Sequence, residues 1–151
     1  MTNQTHIGID YGEKRIGIAK SDPTGLIASP YKTVTVKSIN TALDEIVAII
    51  AETEAVGVVI GYPVALADGG GRGELCRKVD RFMERLRERY DGPMYTIDER
   101  FSSAEAENVI HGYNKKIGQD KGRVDRIAAA IILQKFLDER PRDNREYIQG
   151  V

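Results

Sequence analysis

The stretch Ile7-Gly8-Ile9-Asp10-Tyr11-Gly12 constrains the fold of this chain more than any other. Its alternation reads as a short strand, with Ile7 and Ile9 on one face and Gly8 and Asp10 on the other. Asp10 ends the strand, and Tyr11-Gly12-Glu13-Lys14 turns the chain back. Arg15-Ile16-Gly17-Ile18-Ala19-Lys20-Ser21 repeats the same period. The first piece is therefore a hairpin with a carboxylate at its open end.

At 151 residues the chain suits one domain with a sizeable core. We expect the domain to span 1–140, with a charged tail over 141–151. No apolar run reaches the ~20 residues a membrane span needs. Residues 1–5 lack the basic-then-apolar layout of a secretory signal. Cys76 is the one cysteine, so an internal disulfide is excluded and a cytoplasmic location is expected. A formal net charge of −1 gives no global attraction to polyanions, so any nucleic-acid contact must come from local patches.

Ser21-Asp22-Pro23-Thr24-Gly25 is a turn signal. A third strand is expected from Tyr31 to Val36. A helix follows from Ser38 to about Glu54, with Leu43, Ile46, Val47 and Ile50 at helical spacing and Ser38 or Asn40 as cap. Ala55 to Ile60, apolar and β-branched, suits a strand buried on both faces. Gly73 to Tyr90 is a second helix, stopped by Asp91-Gly92-Pro93. Met94 to Asp98 is a fifth strand. Ser102 and Glu105 form a capping pattern for a helix ending near Gly112. Lys115 to Gly122 reads as a mobile loop and Val124 to Glu139 as a last helix. The order β-β-β-α-β-α-β-α-α predicts an α/β protein, a mixed five-stranded sheet with helices on both faces.

Asp10, Glu99 and Asp125 are the candidate site. Hard divalent cations such as Mg²⁺ or Mn²⁺ take a few carboxylate oxygens, water and phosphate oxygens. Acids at two strand ends and a helix start match that need. Each also has a plainer role taken alone: Asp10 in a turn, Glu99 in a surface charge cluster, Asp125 at the positive end of a helix dipole.

Longer motifs add to these spacings. Gly8-Ile9-Asp10-Tyr11-Gly12, Lys14 through Ala19 and Ser21-Asp22 resemble the opening signature of the YqgF (RuvX) family of Holliday junction resolvase-like nucleases. Gly25 through Pro30, Val59 through Pro63, Asp98 through Ser102, and Val124-Asp125 with Ala128-Ala129 and Ile132-Leu133 follow in family-like order. The resemblance implies an RNase H-like fold and a metal-dependent nuclease that trims the precursor of 16S ribosomal RNA. Asp10, Glu99 and Asp125 match the family's acidic, metal-holding positions, and Asp98 is the reserve. The chain departs from the pattern at Tyr62, Ala65, the loop from Ala67 to Gly71, and Lys20.

Lys14, Arg15, Arg100, Lys115, Lys116, Lys121, Arg123 and Arg126 adjoin the acids and are the candidate nucleic-acid contacts. Arg77, Arg81, Arg85 and Arg89 form a ridge, but Asp80, Glu84 and Glu88 lie beside it, so it reads as a salt-laced solvent face. His6, His111 and Cys76 lack zinc spacing. The expected partners are pre-rRNA or structured DNA and a second copy of the chain, with no membrane. Three readings remain open on the sequence. They are a nuclease acting on RNA or branched DNA, a non-catalytic nucleic-acid-binding module, and half of an actin-like phosphotransferase.

Overall fold

A computed structural model describes residues 2–63, 72–98 and 121–140; the side chains of Arg72 and Lys121 are outside it. Strand β1 (His6–Asp10) pairs antiparallel with β2 (Arg15–Ser21), which pairs antiparallel with β3 (Ala28–Thr35). Helix α1 (Ile39–Thr53) leads to β4 (Gly57–Tyr62), parallel to β1. Helix α2 (Arg72–Arg87) leads to β5 (Met94–Asp98), parallel to β4. Helix α3 (Lys121–Glu139) is the last described element. The five strands lie in the order β3-β2-β1-β4-β5, so β1 is central, antiparallel on one side and parallel on the other. The helix expected from Ser102 to Gly112 and the tail 141–151 lie outside the described residues.

Alternation along the central strands builds two cores. Ile7, Ile9, Ile16, Ile18, Val58 and Ile60 meet Leu43 and Ile46 of α1 and Phe82 and Leu86 of α2. Ala19, Val59 and Ile97 meet Ala129, Ile132, Leu133 and Leu137 of α3. The sheet is thus mixed and carries helices on both faces, as the sequence predicts.

Ser38 caps α1: its extended backbone (φ −149°) lets Oγ accept from the Thr41 N–H at 3.1 Å. Glu54 closes the helix in the left-handed region at φ 55°. Its carbonyl accepts from Asn3 Nδ2 at 2.7 Å, which helps hold a conformation that non-glycine residues resist.

Several boundaries differ from expectation: α2, for one, ends at Arg87 rather than Tyr90, and β4 begins at Gly57 rather than Ala55. Strand β3 starts at Ala28, so Pro30 lies within it rather than before it. This is an edge strand, where a missing N–H is tolerated, and the pairing skips Tyr31 between Lys32 and Pro30. Strand β4 runs to Tyr62, whose hydroxyl donates to Asp80 of α2 at 3.2 Å. Helix α3 begins at Lys121, three residues before Val124, because Thr33 of β3 holds its first turn: Thr33 Oγ1 donates to the Gly122 carbonyl at 2.6 Å.

Candidate active site

Gly8 and Gly17 decide what sits under Asp10. A Cβ on Gly8 would come within 2.7 Å of Leu133 Cβ and 2.9 Å of the Ala129 carbonyl oxygen. Gly8 therefore faces α3, and Asp10, two residues on, faces the same way. Gly17 is the register partner of Asp10 on β2. A Cβ on Gly17 would overlap the carbonyl of Asp125. Helix α3 thus lies directly on the sheet floor, with Asp125 against the residue opposite Asp10. Register partners in an antiparallel pair stand ~4.5–5.5 Å apart at Cα. Asp10 and Asp125 share one neighbourhood, across 115 positions of sequence.

Arg15 stands two residues before Gly17, on the same face of β2. Its Nε–H donates to Asp125 Oδ2 at 2.7 Å, an ion pair whose side chains are 38% and 20% exposed. Arg126 Nη1 donates to Thr33 Oγ1 at 3.0 Å, which ties the next residue of α3 to β3. Of the other basic candidates, Lys14 and Arg123 are exposed. Glu99, Arg100, Lys115 and Lys116 lie outside the described residues, as does the side chain of Lys121.

Asp98 is placed differently. It pairs in register with Tyr62, which packs with the α1/α2 core, while Tyr95 and Ile97 pack on the α3 side. Alternation turns the Asp98 side chain away from the face that Asp10 occupies. Its backbone carbonyl accepts from Lys135 of α3 at 3.3 Å.

Among the described residues no three His, Cys, Asp or Glu side chains gather into a metal-sized group. The described pair offers carboxylate oxygens alone, the donor type that Mg²⁺ and Mn²⁺ take and zinc sites seldom use exclusively. The Arg15 guanidinium occupies Oδ2 of Asp125 and leaves Oδ1 as the oxygen it offers elsewhere. By donor type, the described pair matches a hard divalent ion rather than zinc.

The departures at Tyr62 and Lys20 have local explanations. Burial, then the hydrogen bond with Asp80, pushes the Tyr62 phenol up to about 12, so it stays protonated and serves as a strut between β4 and α2. Cys76 donates to the Pro63 carbonyl at 2.9 Å and extends the same strut. Lys20 is exposed and lies over the Tyr31 ring at 4.9 Å, a cation–π contact beside the irregularity in β3.

The arginine ridge is only partly salt-laced. Arg89 pairs with Asp44 of α1, and Lys78 pairs with Glu13 at 3.1 Å. Arg81 and Arg85 make no ion pair with Asp80, Glu84 or Glu88.

Residues 4–139 match the family described as RuvX, Holliday junction resolvase. The chain belongs to the RuvX family. Two RuvX relatives, each a candidate pre-16S rRNA nuclease, align over 134 residues. That from Crocosphaera subtropica is 40% identical, over 89% of this chain and 92% of the relative. That from a Roseiflexus species is 37% identical, over 89% of this chain and 94% of the relative. The yeast mitochondrial Holliday junction resolvase superposes with a TM-score of 0.55 at 9% identity, covering 99% of this chain and 85% of that one. The likeness shows the fold: this RuvX protein is RNase H-like. No described helix is long and apolar enough to cross a membrane.

Proposed function

We propose that this protein is a cytoplasmic, divalent-metal-dependent nuclease that hydrolyses phosphodiester bonds in the precursor of 16S ribosomal RNA. Asp10, Glu99 and Asp125 hold the metal. The observation that carries this reading is the seat of α3 on Gly17, which sets Asp125 beside the strand end that bears Asp10. Glu99 lies outside the described residues, and its place in the site rests on the family-like run from Asp98 through Ser102.

Bound Mg²⁺ or Mn²⁺ would supply an activated water and neutralise charge on the leaving oxygen. The chain's own residues do the rest. Asp10 and Asp125 fix the position of positive charge against the scissile phosphate. Arg15 balances Asp125 and stands where it can move onto a phosphate oxygen as the strand binds. Lys14 and Arg123, both exposed, flank the same end of the sheet and hold neighbouring phosphates.

The test is cleavage of an end-labelled RNA carrying the 5′ leader of the 16S precursor. Cleavage with Mg²⁺ or Mn²⁺, lost on chelation and lost in Asp10→Asn with an unchanged melting curve, supports the reading. Full cleavage by Asp10→Asn overturns it. The family's description favours a second substrate on the same chemistry. A four-way DNA junction, run in the same assay, decides between them.

A further inference from the structure

We infer that the opposite side of the same sheet edge carries a single-strand docking groove, where Arg81 and Arg85 hold backbone phosphates and Tyr11 stacks on a base. The inference rests on the nuclease reading, since it extends the path of the bound strand.

A cavity of about 260 Å³ opens between the β1–β2 turn, the start of α1 and the flank of α2 that carries Lys78, Arg81, Phe82 and Arg85. Its charge is unbalanced. Glu13 lines it, but the Glu13 carboxylate is engaged by Lys78 at 3.1 Å. Arg81 and Arg85 line it too, and neither has an ion pair or hydrogen bond among the described residues. They lie four positions apart on one helix face, ~6 Å along the axis. Two guanidinium groups left without acids on a helix that also carries Asp80, Glu84 and Glu88 suit an external anion better than internal pairing.

The walls suit a nucleotide. Phe82 is buried and forms the floor. The Tyr11 ring packs against it with centroids 4.9 Å apart and keeps its outer part exposed to the groove. Ile39, the first residue of α1, closes one end, and α1 has no acid in its first turn to offset its positive dipole. A partly exposed aromatic ring beside uncommitted cations is how proteins bind single strands without reading sequence.

The route to the proposed site is short in sequence. Tyr11 follows Asp10 directly. Alternation sends the Asp10 carboxylate to the α3 face and the Tyr11 ring to the α2 face. A strand that lies across Asp10 and passes over the end of β1 meets Tyr11 next, then the two arginines.

The experiment uses the full chain carrying Asp10→Asn, so that substrate is bound and not cut, with a fluorescein-labelled single-stranded RNA followed by anisotropy. Adding Arg81→Ala with Arg85→Ala should weaken binding about tenfold and lower the salt slope by about 1.4, the loss of two single-strand phosphate contacts. Tyr11→Leu should weaken binding about fivefold or more, the loss of one stacked base. In the cleaving protein the arginine pair should raise KM with little change in kcat, and melting curves should match. Wild-type affinity and salt slope in the arginine variant overturn the groove and leave the nuclease reading standing. Arginine-dependent RNA binding by a protein that never cleaves supports the groove and removes the nuclease reading.

Discussion

Gly17 and Asp125 meet backbone to backbone, with no space between them for a methyl group. The contact joins the middle of β2 to the first turns of the last helix. Because Gly17 is also the register partner of Asp10, one small residue sets the height of Asp125 over the strand end.

Gly17→Ala should therefore lift the start of α3 from the sheet. Overpacking of this kind costs about 1–3 kcal/mol. Cleavage should fall further than the lost stability explains, because Asp125 moves with the helix. Thermal melts and kcat/KM on the same preparation check this. An active variant with an unchanged melting temperature contradicts the close seat.

Asp10 and Asp98 separate by face. Asp10→Asn and Asp125→Asn should each lower kcat by about 10²–10³ or more, the scale for removing one group that stabilises the transition state. Asp98→Asn, with its side chain on the α1/α2 face, should keep most of the activity. A collapse of activity in Asp98→Asn with Asp10→Asn unharmed would move the metal site to the other side of the sheet.

His6 predicts a pH dependence of stability. It is 3% exposed, and its Nδ1–H donates to the Gln4 carbonyl at 2.8 Å. Burial, and secondarily the Arg140 charge, pulls its pKa below the ordinary value of 6.5. The native state favours the neutral ring. Its contribution is therefore complete above 6.5 and is lost as pH falls through the lower native value. Melting temperature should hold from pH 8 to 7 and drop as pH falls below 6.5, and His6→Gln should flatten that drop. Equal slopes in both proteins would refute it.

Asp22 acts at lower pH. The Thr24 hydroxyl, then the Ile27, Leu26 and Thr24 N–H groups, hold its carboxyl well below the usual carboxylate range. The turn it ties leads to Leu26 and Ala28, which Gln134 of α3 bridges at 2.9 Å on each side. Asp22→Ala should lower the melting temperature at neutral pH. The gap to wild type should narrow as pH falls below ~3.9, the unfolded value, and through the native one. A gap that is constant from pH 7 to 2 counts against this role for the carboxylate.

Much of this arrangement is legible without coordinates, for stated reasons. The bounds of β2 and β5, and the cap of α1 at Ser38, follow from alternation and from the chemistry of a serine oxygen before a helical run. The facing of Asp10 away from Ile7 and Ile9 follows from the same alternation. Two things do not. Gly122 looks like a loop residue until Thr33, 89 positions away, reaches its carbonyl. Arg81 and Arg85 look paired on spacing, yet no ion pair joins them to Asp80, Glu84 or Glu88, and Asp80 accepts from Tyr62 instead. Both depend on tertiary contacts that no local pattern encodes. The place of Asp125 is intermediate: a helix start is readable, but its height over the sheet depends on Gly17.

The pairing of Arg15 with Asp125 spans 110 positions. Strands β1, β2 and β3 need only neighbouring segments to assemble, whereas α3 must be synthesised before it can dock on them. Asp10 is therefore synthesised long before Asp125 exists to join it. A chain cut short before α3 keeps Asp10 but loses Asp125, and Arg15 with it loses the carboxylate it holds.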